Sequence, residues 1–224
     1  MSNKMCKRLL VGIAGSSAAT QIHDYLFQFR QFFADEVKVI MSHAASEMAQ
    51  LRTIELFCDD RVFIEFWDRS SSVKTPHIQL TQWAEVFLVI PATANILGKA
   101  ANGIADDLLS TAVLSYLDPI VFAPAMNPSM WNSKALKRNV KQLQQDGHCI
   151  VEPQEGISAT TGRWDSGLAM PPAEEIIRHL EHTHLTKLRL EYWEEATRDK
   201  ALTPMQRRMN VNQTDLLQLN LQEV

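Results

Sequence analysis

Val86-Phe87-Leu88-Val89-Ile90-Pro91-Ala92-Thr93-Ala94-Asn95 is the stretch that decides the fold. Its apolar run, β-branched and aromatic and closed by a proline, predicts a short strand buried on both faces. The small residues after Pro91 open a helix whose first amides have no internal acceptor. A second turn of the same design lies downstream: Ile120-Val121-Phe122-Ala123 runs into Pro124-Ala125-Met126-Asn127 and then Met130-Trp131. In an open parallel sheet, ligands sit outside the carboxyl ends of the strands. Two such ends carrying asparagine and small residues therefore predict one shared site.

Upstream, residues 7 to 13 read as a first strand, with Leu9-Leu10-Val11 buried on both faces. It runs into Gly12, Gly15, Ser16 and Ser17, then a helix over 18–33. Glycines and serines there bring amides and hydroxyls against a phosphate, although a plain strand-to-helix connection needs the same small residues. The full dinucleotide fingerprint is absent, which argues against a standard NAD site. Residues 36–41 read as a second strand ending at Ser42, and 43–57 carry apolar residues at helical spacing. His43 reads as a solvated residue of the helix start. A short strand is expected over 62–66, a serine-rich connection over 67–76, and a short helix from Pro76 to Trp83 that carries His77. From the residues alone, His77 is a surface or capping histidine.

Asp106-Asp107 reads as a helix start favoured by the macrodipole. Residues 134–147 form a helix terminated by Gly147, and 148–151 the last strand. Residues 153–170 make a polar, glycine-rich loop longer than a structural connection needs, as lids are. A charged helix follows over 173–195, and periodicity is lost over 196–224. Of His179, His182 and His184 only the first two share a helix face at ligand spacing, and no cysteine or carboxylate cage accompanies them, so they read as residues of a solvated helix.

Composition narrows the function classes. A net charge of −4 gives no basic footprint for nucleic acid. No apolar run spans a bilayer, and the N-terminus lacks the apolar core of a signal peptide. Three widely spaced cysteines, Cys6, Cys58 and Cys149, indicate neither a disulfide framework nor a zinc site. The expectation is a cytoplasmic protein with reduced thiols and no bound metal.

Two segments carry a family resemblance. Pro91-Ala92-Thr93-Ala94-Asn95 resembles the PASANT motif, and Pro124-Ala125-Met126-Asn127-Pro128-Ser129-Met130-Trp131 matches the PxMNxxMW motif of the homo-oligomeric flavin-containing cysteine decarboxylases. That family includes phosphopantothenoylcysteine decarboxylase and the lantibiotic peptidyl-cysteine decarboxylases of the epidermin and mersacidin type; flavin prenyltransferases share the fold. The resemblance implies an α/β, single-domain Rossmann-like (flavodoxin-like) parallel sheet with helices on both faces, over 1–180. Residues 181–224 lie outside it and read as a C-terminal helical extension with a mobile tail.

The resemblance also implies a site. The flavin phosphate belongs at Gly15, Ser16 and Ser17, with Ser42, Pro91, Ala92, Thr93, Asn95 and Met126 as further cofactor residues. His77-Ile78-Gln79-Leu80 is similar to the segment that holds the family's catalytic histidine, and Asn127 corresponds to the asparagine that holds the substrate carboxylate. The loop over 153–170 corresponds to a substrate clamp. In phosphopantothenoylcysteine decarboxylase the clamp carries a cysteine; here it has none. Thr161-Gly162-Arg163-Trp164 instead resembles the S/T-G-x pattern of the lantibiotic enzymes.

The chemistry implied is oxidative decarboxylation of the C-terminal cysteine of a ribosomally made precursor peptide to an aminoenethiol. Direct loss of carbon dioxide would leave an unstabilised carbanion. Oxidation of the thiol to a thioaldehyde first gives those electrons somewhere to go, and the cofactor supplies that step. The cofactor implied is FMN, as in epidermin-type relatives, or FAD, as in the mersacidin type whose P-A-T-A-N-I wording the chain shares. The partners implied are the precursor peptide, further copies of the chain in a trimer and dodecamer, and a lanthionine synthase. Two other readings stand beside this one: phosphopantothenoylcysteine decarboxylase of coenzyme A synthesis, and a non-catalytic regulatory flavoprotein subunit.

Overall fold

The structure is a computed structural model that describes residues 4–66, 74–157 and 164–200. In chain order it contains β1 (Cys6–Ile13), a 3-10 turn (Ser17–Gln21), α1 (Ile22–Phe32), β2 (Ala34–Met41), α2 (His43–Ser46), α3 (Leu51–Glu55) and α4 (Pro76–Trp83). There follow β3 (Val86–Ala92), α5 (Ala94–Ala101), α6 (Leu108–Ser115), β4 (Ile120–Pro124), α7 (Pro128–Trp131), α8 (Lys134–Gln145) and β5 (Cys149–Ile150). The elements β6 (Gln154–Ile157), β7 (Trp164–Ala169) and α9 (Ala173–Lys200) close the described chain.

Five strands form one sheet in the order β2-β1-β3-β4-β5, every pair parallel. Val11 lies opposite Val39 on one side and Leu88 on the other, and Leu88 lies opposite Val121. The expected α/β, flavodoxin-like sheet is the one observed. Successive side chains alternate between two faces and build two cores. Leu9, Val11, Val37, Leu88, Ile90 and Val121 pack with Leu26 and Phe29 of α1 and Ile176 and Leu180 of α9. Leu10, Ile40, Phe87, Val89 and Phe122 pack with Leu80 of α4, Leu97 of α5, Leu109 of α6 and Val140 of α8. All seven residues of β3 are buried, which is why its sequence shows no polar alternation.

Three expectations are corrected locally. The helix read over 43–57 divides into α2 and α3; Ser46 Oγ donates to the His43 carbonyl at 2.7 Å, a local bond that competes with helix propagation. The strand read over 62–66 is a single bridge between Ile40 and Phe63. The open edge of β2 is served instead by Asp59, whose carboxylate accepts from Val37 N at 2.8 Å, and by Phe63 N donating to Val39 O at 3.0 Å. The segment read as a loop over 153–170 carries an antiparallel pair, β6 with β7, in which Gly156 leaves room for Ala169.

The chain divides into two compact units, Met1–His184 and Leu185–Val224. The described part of the second is the helical run over 185–200, with Leu188 and Leu190 exposed. The expected mobile tail beyond residue 200 lies outside the described residues. His184 is 6 % exposed, so it is buried rather than solvated as expected for this helix. Among the described residues no helix is long and apolar enough to cross a membrane.

His148 secures the start of β4. Its Nδ1 accepts from Ile120 N at 3.1 Å, and its ring stands edge-on to Phe122. Burial, opposed in part by Asp146, holds its pKa below the ordinary histidine value. Folding therefore favours the unprotonated ring. Its stabilisation is present above the unfolded value of about 6.5 and is lost as pH falls towards the lower folded value. Urea midpoints measured from about pH 7.5 to about pH 5.5 should fall more steeply in the wild type than in His148→Gln, whose side-chain oxygen can still accept from Ile120 N but does not titrate.

Candidate active site

Between β1 and β3 the chain changes direction across the sheet: it moves outward to β2, then returns to the other side of β1. Crevices for ligands form where the strand order reverses, and the flavodoxin-like order places its flavin at this β1/β3 point. Here each strand runs directly into a turn: Ile13 into Ala14-Gly15-Ser16, Met41 into Ser42, Ala92 into Thr93, Pro124 into Ala125-Met126. The ladders continue into these turns through Ala14 N to Pro91 O at 3.2 Å, Ser42 N to Ile13 O at 2.9 Å and Ala125 N to Ala92 O at 3.0 Å. Ser16 Oγ also donates to Ala125 O at 3.3 Å, joining the first turn to the last.

The turns enclose a cavity of about 500 Å³. Gly15, Ser16, Ser42, Thr93, Asn95 and Met126 line it, all of them expected from the sequence. Ala14, His43, Ala44, Ala94, Ile96, Asp107, Leu109, Ala125 and Met130 complete the wall. Gly15 brings two turns together: a Cβ there would lie 2.5 Å from Ala44 Cβ and 2.8 Å from its carbonyl carbon.

The wall suits a flat ring with an anionic tail. Ser42 Oγ accepts from Ala45 N and Thr93 Oγ1 from Ile96 N, each as a helix cap. Each hydroxyl keeps its own hydrogen to donate. The amides of Ala94 and Asn95, at the start of α5, have no helical carbonyl before them to bond. Ile96, Leu109, Met126 and Met130 supply the apolar surface. Donors gathered beside an apolar slot of this size fit a flavin and its phosphate.

Asp107 is the acidic member of the wall. Its Oδ1 accepts from Ser110 N at 2.7 Å and Ser110 Oγ at 2.8 Å, and Ser110 Oγ accepts from Asp107 N, which closes a capping box at α6. Its Oδ2 accepts from Lys99 Nζ at 2.6 Å. Burial alone would raise its pKa, but the bonds from Lys99 and Ser110 outweigh that and hold it below the usual value. The sequence marks Asp107 only as a helix start; its place on the cavity follows from how α6 returns across the sheet.

The remaining candidates divide by position. Ser17 is exposed in the 3-10 turn, while Pro91 and Ala92 are buried in β3; none of the three lines the cavity. His77, the second residue of α4, is half-buried and edge-on to Phe66 at 5.7 Å between ring centres. Its Nδ1 is buried without a hydrogen-bond partner among the described residues. It does not line the cavity of its own chain. Asn127 caps α7, accepting from Met130 N through Oδ1 at 2.8 Å. Trp131 pins that short helix: it is buried in the second core, with Lys137 Nζ 4.3 Å above its ring. Thr161, Gly162 and Arg163 lie outside the described residues, and Trp164 begins β7. Among the described residues no group of three or more His, Cys, Asp or Glu could hold a metal.

A 2-1-3-4-5 parallel sheet with a cavity at its reversal point, lined by serine, threonine and asparagine beside apolar residues, defines a flavodoxin-like flavin-binding domain. The chain belongs to the Flavoprotein family, whose model matches residues 1–184. It is 38% identical over 169 residues to mersacidin decarboxylase of a Bacillus species, covering 74% of this chain and 85% of that protein. The structure of that species' MrsD superposes with a TM-score of 0.70 at 35% identity, covering 82% of this chain and 99% of the other. SpaF, described as an FMN-dependent cysteine decarboxylase, gives 0.69 at 33% identity, covering 80% and 97%. An EpiD variant complexed with the substrate peptide DSYTC gives 0.69 at 27% identity, covering 78% and 98%. The chain spans less than half the length of the coenzyme A biosynthesis bifunctional proteins that it also matches.

The contact at Gly15 is testable on its own. Gly15→Ala places a methyl against Ala44 where nothing flexible can yield, an overpacking cost of about 1–3 kcal/mol. Thermal unfolding should show a midpoint several degrees below wild type.

Proposed function

We propose that this protein is a flavin-dependent peptidyl-cysteine decarboxylase, which converts the C-terminal cysteine of a ribosomally made precursor peptide to an aminoenethiol. The observation that carries this reading is the state of Asn127. Met126 and Met130, on either side of it in the chain, both line the cavity, although Asn127 itself does not. The Met130 amide needs an oxygen acceptor, so Oδ1 faces α7 and the side-chain NH₂ remains for a ligand. A fixed pair of N–H donors beside a flavin-sized cavity fits a peptide C-terminal carboxylate.

Bound flavin supplies the two-electron oxidation of the cysteine side chain, and the bond to the carboxylate then breaks with release of carbon dioxide. The chain's residues position and shield. Asn127 holds the carboxylate, the two methionines exclude water, and the His77 ring handles the thiol proton. His77 lies away from the cavity of its own chain, which supports a site completed by a second copy, in a trimer and on to a dodecamer. We place the catalytic domain at 1–180 and its clamp at Thr161 to Trp164. The flavin is FMN or FAD, the compartment is the cytoplasm, and a lanthionine synthase acts on the same precursor.

The test is mass spectrometry on a peptide ending in cysteine, which should lose carbon dioxide and two hydrogens; a C-terminally amidated peptide should be untouched. His77→Asn should keep the yellow colour and lose turnover. Asn127→Asp retains the cap on Met130 but sets a like charge against the substrate, so activity should fall by at least about a hundredfold. Turnover of phosphopantothenoylcysteine with no reaction of the peptide would transfer the protein to coenzyme A synthesis. An Asn127→Asp protein with full activity would mean that the carboxylate binds elsewhere.

A further inference from the structure

Lys99 stands behind the cavity wall. It lies on α5, the helix that starts from the Thr93 turn, and its side chain is only 14 % exposed. Its ammonium is 2.6 Å from Asp107 Oδ2 and 2.6 Å from Asp106 Oδ1. Asp106 is largely in solvent, so water and salt screen it. Asp107 is different: it caps α6 and faces the cavity. Lys99 itself does not line the cavity. One ammonium against two carboxylates leaves a net charge of −1 beside the pocket. Without Lys99 the net charge there would be −2, and half of it would belong to a group on the wall.

We propose that Lys99 is a positioning and charge-compensating residue, which holds and neutralises Asp107 so that the cavity accepts a ligand bearing a phosphate. This rests on the flavin reading of the cavity. Like charges a few ångströms apart inside a partly dry site repel far more than in bulk water. The Asp107 carboxylate cannot turn away, because Oδ1 is committed to the Ser110 amide and hydroxyl. A free carboxylate would therefore stay on the cavity wall. The capping role itself needs only an oxygen acceptor, which asparagine also provides. Charge and structure are thus separable at this position.

The experiment titrates the flavin-depleted full-length protein with FMN and with riboflavin, which lacks the phosphate. Lys99→Met should weaken FMN binding by about tenfold at low salt, and the deficit should shrink as ionic strength rises. Riboflavin affinity should be unchanged. The double variant Lys99→Met with Asp107→Asn should recover FMN affinity to within about threefold of wild type. Asp107→Asn alone, with its cap intact, should bind FMN at least as well as wild type. Lys99→Met binding FMN like wild type would overturn the proposal, as would equal losses for FMN and riboflavin, which indicate a structural role. An Asp107→Asn protein that loses FMN would overturn it from the other side, by showing that the carboxylate is needed. Wild-type protein that takes up neither flavin would overturn the flavin reading itself, and the proposal with it.

Discussion

Burial of β3 on both faces is the constraint on which the rest depends. Val86–Ala92 has no side turned to water, so helices must cover it above and below. Each large side chain buried there contributes about 1.5–3 kcal/mol against exposure, an upper bound given the compactness of unfolded chains. Parallel neighbours need crossover connections, and these supply the covering helices. With β1 and β4 as its neighbours, β3 lies at the centre of the sheet, and the reversal of chain direction falls at its boundary with β1. The cavity is a consequence of that reversal, since no connection crosses there to fill it.

The same turns that end the strands supply the chemistry. Ser42, Thr93, Asp107 and Asn127 each cap a helix with a side-chain oxygen. Capping fixes which end of the side chain is used and which end is left over. For Ser42 and Thr93 a hydroxyl hydrogen is left, and for Asn127 an NH₂. For Asp107 a second oxygen is left, and Lys99 takes it. Local folding requirements thus orient Ser42 and Thr93 on the cavity wall and Asn127 next to it, while Asp107 uses Lys99 as well.

Much of this was legible in the residues. The apolar runs at Val86–Ile90 and Ile120–Ala123 marked their strands because burial on both faces removes any alternation. The two proline-ended turns marked the shared site because small residues and asparagine are needed where a backbone approaches a ligand. Other features were not legible. At the division of 43–57 into two helices a serine hydroxyl bonds back to a backbone carbonyl, and in the pairing of β6 with β7 a glycine faces Ala169. Sequence periodicity registers neither.

The sequence by itself determined the sheet and its direction, because strand burial is a local property of residue type, and the family resemblance of its two turn motifs implied six of the residues around the cavity. Only the tertiary structure decided that Asp107 joins the wall, that Lys99 stands behind it, and that His77 stands apart from the cavity of its own chain. Those placements depend on where α4, α5 and α6 come to rest on the sheet. That is set by the packing of Leu80, Leu97 and Leu109 against Phe87, Val89 and their neighbours, contacts between residues far apart in the chain. No pattern within a single segment encodes them.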